Sequence, residues 1–319
     1  MYTRRDLGKF AVTTLGATAL AGLPRSLAFA ATGDSANAAN TSVRLGATTW
    51  SLRDMARVPG QDNIDDIIKP LKSAGVTEID LWSYNAEPAG PNTGPGAPPP
   101  PAAYPIKIHL FTKEEIAAAM LQARNLTRDW RLSTPVSHFA EMRVKFASAG
   151  ISVTSFTVKY DDTFTDQEID ITMEQAITLG ASFVNAPGNA DVLKRLASFA
   201  DKHQLNIAVN DFAMAASLPS SRFKINADIG AITAANGSPV AFIQEHHDAI
   251  AQLTIKDRRL KQGKNEQFGD GDTPVLNVLK LVKEKKYAFP VFAEYEYLGL
   301  GTPGEELQRC MDYMRTALA

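Results

Sequence analysis

AQLTIKDRRL (251–260), FGDGDTP (268–274) and PVFAEYEY (290–297) lie close together near the C-terminus, and their reading decides the fold. Each short apolar run ends in charge, with a glycine-rich acidic loop and a helix-like segment between them. This is the pattern of parallel strands whose C-terminal ends carry polar groups. Strand side chains alternate with a period of two, so an inward Phe292 brings Glu294 and Glu296 to the same mouth. Thr254 and Lys256 pair in the same way.

Working outward, six earlier strands repeat the strand–helix alternation. Strands are expected at 44–50, 76–82, 151–158, 182–186, 205–210, 223–228, 251–256 and 289–295. Helices are expected at 62–74, 112 onward, 135–149, 166–179, 191–203, 238–248, 273–285 and 303–318. Gly75, Gly150 and Gly180 close three helices just before a strand. Thr112 and Glu115 form a capping-box pair, Pro239 suits a first helical turn, and Pro70 should kink the first helix. Eight βα units imply an α/β fold, a single-domain (β/α)8 TIM barrel over residues 43–319. A doubly wound open sheet is the alternative, but no GxGxxG follows strand 1 and no Walker loop occurs. The acidic Gly269–Asp272 run is unsuited to phosphate and reads as a turn into the next helix.

The chain has 319 residues, 45% of them hydrophobic, enough for one large domain. Residues 1–30 read as an export signal: Thr3-Arg4-Arg5-Asp6-Leu7 resembles a twin-arginine motif, a weakly apolar run follows, and Ala28-Phe29-Ala30 is an A-x-A cleavage site. That predicts a periplasmic or otherwise extracytoplasmic protein with no membrane association once processed. The apolar run is too short and too rich in Thr and Gly for a bilayer span. Residues 31–42 read as a flexible linker. The net charge of −2 becomes more negative when Arg4, Arg5, Lys9 and Arg25 leave with Asp6 alone, which argues against a nucleic-acid partner. The single cysteine, Cys310, precludes an internal disulfide and falls in a helix, as a buried thiol. Residues 87–105, with PAGPNTGPGAPPPP, form a Pro/Gly-rich insertion leaving the active end of strand 2. It is either an inert surface excursion, with room for an oligomer contact, or a flap over the mouth.

The inward phase of the late strands collects Asn210, Asn226, Asp228, Thr254, Lys256, Glu294 and Glu296. Trp50 joins them at the end of strand 1, and Asp211 and Asp257 follow two of the strands. A ring this polar, where barrel cores are usually aliphatic, needs partners, since unpaired burial costs roughly 1–3 kcal/mol per group. It is therefore either a functional mouth or a self-satisfied network such as Lys256 with Asp228 or Glu294.

TIKDRRLKQGKNEQFGDGDTP followed by FAEYEY resembles the HxKDR…GxGDTP…EYEY pattern of the sugar phosphate isomerase/epimerase family of xylose isomerase-like barrels. GVTEIDLW (75–82) is similar to that family's strand 2, and NADIGAITAANGSPVAFIQEHHDAI (226–250) to its strand 6 and following helix. The resemblance implies a sugar or keto-sugar substrate, a divalent metal polarising a carbonyl, and carboxylates moving a proton between neighbouring carbons. It implies metal ligands on strands 5 to 8, of which this chain keeps Asp228 and Glu294. Asn210 stands on strand 5, Thr254 replaces the strand 7 histidine, and Ala231 replaces the histidine expected after Gly230. His109, His138, His203, His246 and His247 all fall away from strand C-termini. Asp228, Glu294 and Asn210 therefore offer only oxygen ligands, suited to a loosely held hard cation, Mg²⁺, Ca²⁺ or Mn²⁺ without imidazole.

The expected activity is that of an exported sugar or keto-sugar isomerase, epimerase or related lyase. Glu294 would be the base and Lys256 the electrophile, with Asn210, Asp211, Asn226, Thr254, Asp257, Glu296 and Trp50 binding substrate. A Schiff-base role for Lys256 is disfavoured, because adjacent carboxylates raise rather than lower its pKa. The alternative is a catalytically retired barrel that binds carbohydrate or a partner protein.

Overall fold

The computed structural model describes residues 43–89 and 112–319. The expected export signal, the linker, His109 and most of the Pro/Gly-rich insertion lie outside the described residues. Eight parallel strands close into a barrel: β1 Leu45–Thr48, β2 Glu78–Trp82, β3 Ser152–Thr157, β4 Phe183–Asn185, β5 Asn206–Val209, β6 Phe223–Asp228, β7 Ile250–Ile255 and β8 Val291–Ala293. Each pairs with its sequence neighbours, and β1 closes the ring on β8 with Leu45 opposite Val291 and Ala47 opposite Ala293. Thr41–Ala319 forms one compact unit. Six of the strands are shorter than the sequence pattern suggests, while Phe223–Asp228 matches it and Ile250–Ile255 is displaced by one residue.

The helices follow local chemistry closely. Lys113–Ser133, Asp166–Leu179 and Pro303–Thr316 begin with capping boxes at Thr112/Glu115, Thr165/Glu168 and Thr302/Glu305. Pro239 opens Pro239–His246. Gly180 caps its helix at φ +89°, a left-handed position that an L-residue adopts only with strain. The helix Ile64–Ser73 remains continuous through Pro70. Short helices at Ser83–Ala86, Phe212–Ser217 and Ile229–Ala234 and a 3₁₀ turn at Thr49–Leu52 had no clear periodic signal. They are too brief for an amphipathic pattern to declare itself.

The outer helices bury aliphatic and aromatic faces on the strands, with Ile67, Leu71, Phe139, Phe146 and Leu196 fully enclosed. Cys310 is buried in the last helix, and burial pushes its thiol up to about 12. Among the described residues no helix is long and apolar enough to cross a membrane. The barrel interior is unusual in being polar at mid-depth. Asp80, fully enclosed on β2, accepts from Thr157 Oγ1 (2.7 Å), Asn185 Nδ2 (3.4 Å) and Gln252 Nε2 (3.4 Å), and Ser155 Oγ donates to Gln252 Oε1 (2.9 Å). This layer is the floor on which the mouth is built.

Candidate active site

At the C-terminal ends of β6, β7 and β8 one ammonium meets three carboxylates. Lys256 Nζ lies 2.7 Å from Glu294 Oε1, 3.0 Å from Glu296 Oε2 and 3.1 Å from Asp228 Oδ2. Strand geometry makes this convergence: Asp228, Thr254 and Phe292 are register partners across β6, β7 and β8. The next inward positions, Lys256 and Glu294, therefore stand over them. Gly230 lets the following helix start against β7, because a Cβ there would lie 2.8 Å from Lys256 Cβ.

Each carboxylate has a second anchor. Thr48 Oγ1 donates to Glu294 Oε2 (3.0 Å), and Trp50 Nε1 donates to Glu296 Oε1 (3.0 Å). Ala231 N–H donates to Asp228 Oδ1 (2.9 Å), so Asp228 also caps Ile229–Ala234. Asn265 Nδ2, on a short antiparallel ribbon of Asp257–Arg258 with Asn265–Glu266, reaches Glu296 Oε2 (3.3 Å).

The electrostatics divide the carboxylates. Burial alone would depress Lys256, but Glu294, Asp228 and Glu296 together outweigh it and hold its pKa above the ordinary lysine value. Burial raises Glu294 above the usual carboxylate range despite Lys256. Glu296, less enclosed, ends below that range because Lys256, Trp50 and Arg53 together outweigh its burial. The site thus holds a fixed cation beside one carboxylate biased toward the proton-bound form.

These groups line a cavity of about 170 Å³ with Trp50, Trp82, Asn185, Pro187, Asn210, Asn226 and Thr254. That is room for a small polar molecule, below the usual drug-sized pocket. The rings of Trp50 and Trp82 lie 4.5 Å apart at 31° and form one wall. A larger groove of about 770 Å³ between Ile64–Ser73 and Pro303–Thr316 contains none of the strand-end groups.

Of the residues picked from sequence, Lys256, Glu294, Glu296, Asp228, Asn210, Asn226, Thr254 and Trp50 meet at this mouth. Two do not. Asp257 is turned away, its carboxylate accepting from the amides of Gly269 (2.8 Å), Gly271 (3.0 Å) and Thr273 (3.1 Å), so the Gly-Asp-Gly-Asp run wraps an anion of the chain itself. Asp211 caps Phe212–Ser217 through Met214 N–H (2.8 Å). Trp82, Asn185 and Pro187 were missed. The signal for Asn185 was the same inward phase that found Asn226, applied to β4.

A divalent ion held by Asp228, Glu294 and Asn210 does not fit this arrangement. The facing oxygens of both carboxylates point at Lys256 Nζ, and Asn210 Oδ1 accepts from Asn226 Nδ2 (3.3 Å). Among the described residues the metal-type group with ligand atoms within 4.8 Å of one another is Asp170, Glu174 and His203 on the outer helices. There Asp170 is already paired with Lys202 and His203, each at 2.6 Å. His246 instead stacks on Phe212, and His247 packs against Tyr287.

No family model matches the chain, and no curated protein does. Solved structures do. A sugar phosphate isomerase/epimerase from Parabacteroides distasonis is 13% identical, over 86% of this chain and 95% of that one, with a TM-score of 0.55. A 3-keto-D-glucoside 4-epimerase from E. coli is 12% identical, over 86% and 100%, with a TM-score of 0.57. The IOLI protein, solved with a zinc atom, is 14% identical, over 86% and 98%, with a TM-score of 0.55. At these identities the likeness is one of fold alone, the closed eight-stranded parallel barrel.

Proposed function

We propose that the protein is an exported sugar or keto-sugar isomerase or epimerase that moves a proton at a carbon next to a carbonyl. The observation that carries this reading is the Lys256 ammonium set among Glu294, Glu296 and Asp228 at the barrel mouth. Glu294 takes the proton from the carbon. Its position beside a cation keeps it available as a carboxylate, while burial makes it a stronger base than a solvated one. Lys256, protonated throughout, donates to the oxygen on which charge develops as the enediolate forms. Glu296 and Asp228 hold the ammonium in place, and the indole wall packs on the apolar face of a sugar ring. The named sugar isomerase and epimerase neighbours support the substrate class.

The chemistry is tested by NMR detection of exchange of substrate C–H for deuterium across a panel of free keto-sugars and keto-glycosides. Exchange with at least one, lost in Glu294→Gln, is expected. No exchange with any overturns the assignment. Export rests on the Arg4-Arg5 motif and the Ala28-Phe29-Ala30 site; the Arg4→Lys/Arg5→Lys pair should leave the protein in the cytoplasm, and its normal secretion would refute that route. A second reading, a binding-only barrel, is favoured by the degree to which Lys256 and its three carboxylates satisfy one another. Calorimetric sugar binding without any exchange would select it.

A further inference from the structure

Two polar atoms on the wall away from Lys256 have no partner among the described residues: Asn185 Oδ1 and Trp82 Nε1. Both residues line the cavity. Asn185 is 4% exposed, and a buried acceptor left unmet is costly. Neither atom is placed by accident. Asn185 Nδ2 donates to Thr157 Oγ1 (3.1 Å) and toward Asp80 Oδ2 (3.4 Å), while the Thr157 hydroxyl spends its own proton on Asp80 (2.7 Å). With Asp80 ionised, rotating the amide would set Oδ1 against two oxygens with no proton to share. The floor layer therefore fixes the Asn185 amide and leaves Oδ1 as its unmet acceptor. Trp82 Nε1 can only donate, and its ring is held by Trp50 at 4.5 Å. Trp82, Thr157 and Asn185 are register partners across β2, β3 and β4, so acceptor and donor stand two strand spacings apart, roughly 10 Å between backbones.

We propose that Asn185 and Trp82 form a hydroxyl-reading subsite: Asn185 Oδ1 accepts from one hydroxyl of a polyhydroxylated ligand, and Trp82 Nε1 donates to an oxygen elsewhere on it. The subsite lies opposite the Lys256 cluster and selects which carbon is presented to Glu294. This rests on the carbohydrate reading of the cavity, and it predicts that binding depends on the hydroxyl pattern away from the reacting carbonyl. A site built to hydrogen-bond a hydroxyl rejects the analogue lacking it, because its own buried group is then unpaired.

The test is titration calorimetry with D-glucose, D-xylose, D-fructose and methyl β-D-glucoside, followed by the monodeoxy analogues of the tightest binder. Wild type, Asn185→Leu and Trp82→Phe are compared, with thermal melts to confirm folding. In wild type, removing one particular hydroxyl should weaken binding about tenfold. In Asn185→Leu that same deletion should matter less than about threefold, and Trp82→Phe should lose discrimination at a different position. A merely structural role would weaken parent and deoxy sugar alike and leave their ratio unchanged, which overturns the subsite. If the parent binds and both variants keep wild-type discrimination, the subsite fails while the sugar assignment stands. If no sugar binds wild type, both fail. If discrimination shifts as expected but no C–H exchange occurs, the subsite holds and the isomerase assignment falls.

Discussion

Lys256 is the residue on which the site turns, because one ammonium does three jobs. It pairs with Asp228, Glu294 and Glu296 at once, it stands where an enediolate oxygen would be met, and it fills the centre between carboxylates that a divalent ion would need. Lys256→Met should therefore lower exchange activity about 10²–10³-fold, the cost of losing a preorganised oxyanion donor. The same variant frees two or three carboxylates, so it should take up Mn²⁺ in an equilibrium dialysis where wild type takes up none. Equal uptake by both proteins would show that the ammonium does not compete for that position. Glu294→Gln should cost about 10²–10⁴-fold in activity with little change in sugar affinity. The pH dependence follows from two directions of shift. Glu294 must be ionised to act, and its pKa is raised from 4.5, so the acid limb of kcat/KM should lie above that value. Lys256 is raised from 10.5, so it contributes no alkaline limb below that pH. The limb belongs to the coupled cluster rather than to Glu294 alone; an acid limb at or below 4.5 would contradict the assignment.

Among the elements, the loop between β7 and the helix Val275–Lys285 shows how a local motif is given meaning by distant packing. Asp257 is 2% exposed and gathers three backbone amides from the Gly269–Thr273 run. Asp257→Ala orphans those amides and should cost roughly 3 kcal/mol in urea unfolding. Asp257→Asn, which keeps one carbonyl acceptor, should recover about half of that loss. Because the same loop holds Asn265 against Glu296, Asp257→Ala should also weaken sugar binding; unchanged affinity would mean that the ribbon does not support the site. This element marks where sequence reading ran short. The glycines that end helices were legible, since Gly75, Gly150 and Gly180 all adopt positive φ for a purely local reason. The late strand ends were legible as well, because alternation alone brings Asp228, Lys256 and Glu294 to one face. Asp257 followed the same strand and looked like its neighbours. Only the return of the Gly269–Thr273 loop decides that its carboxylate faces protein instead of ligand. Asn185 escaped notice because it ends β4, outside the late strands whose inward phase collected the polar ring.

For the whole molecule, the barrel interior carries a polar floor beneath its chemistry, and stability should register it. Asp80 lies at the centre, and burial raises its pKa above 3.8 although Thr157, Gln252 and Asn185 donate toward it. A carboxyl group with a raised folded pKa contributes stability that is fully present below its unfolded value and is lost as pH rises through the folded one. Wild type should thus lose part of its stability across a window that opens at 3.8 and extends upward. Asp80→Asn cannot ionise and lacks that loss, but it offers one acceptor fewer to the surrounding donors. It should be less stable than wild type at about pH 4, with the deficit shrinking by about pH 8. Thermal melts of the two proteins across that range read the difference directly, and a deficit independent of pH would show that Asp80 titrates normally. A barrel built for stability alone would place aliphatic side chains at this depth. Keeping a carboxyl there makes sense if its function is to orient Asn185 toward the cavity, since a rigid floor under the mouth is what holds a hydroxyl acceptor in position before any ligand arrives.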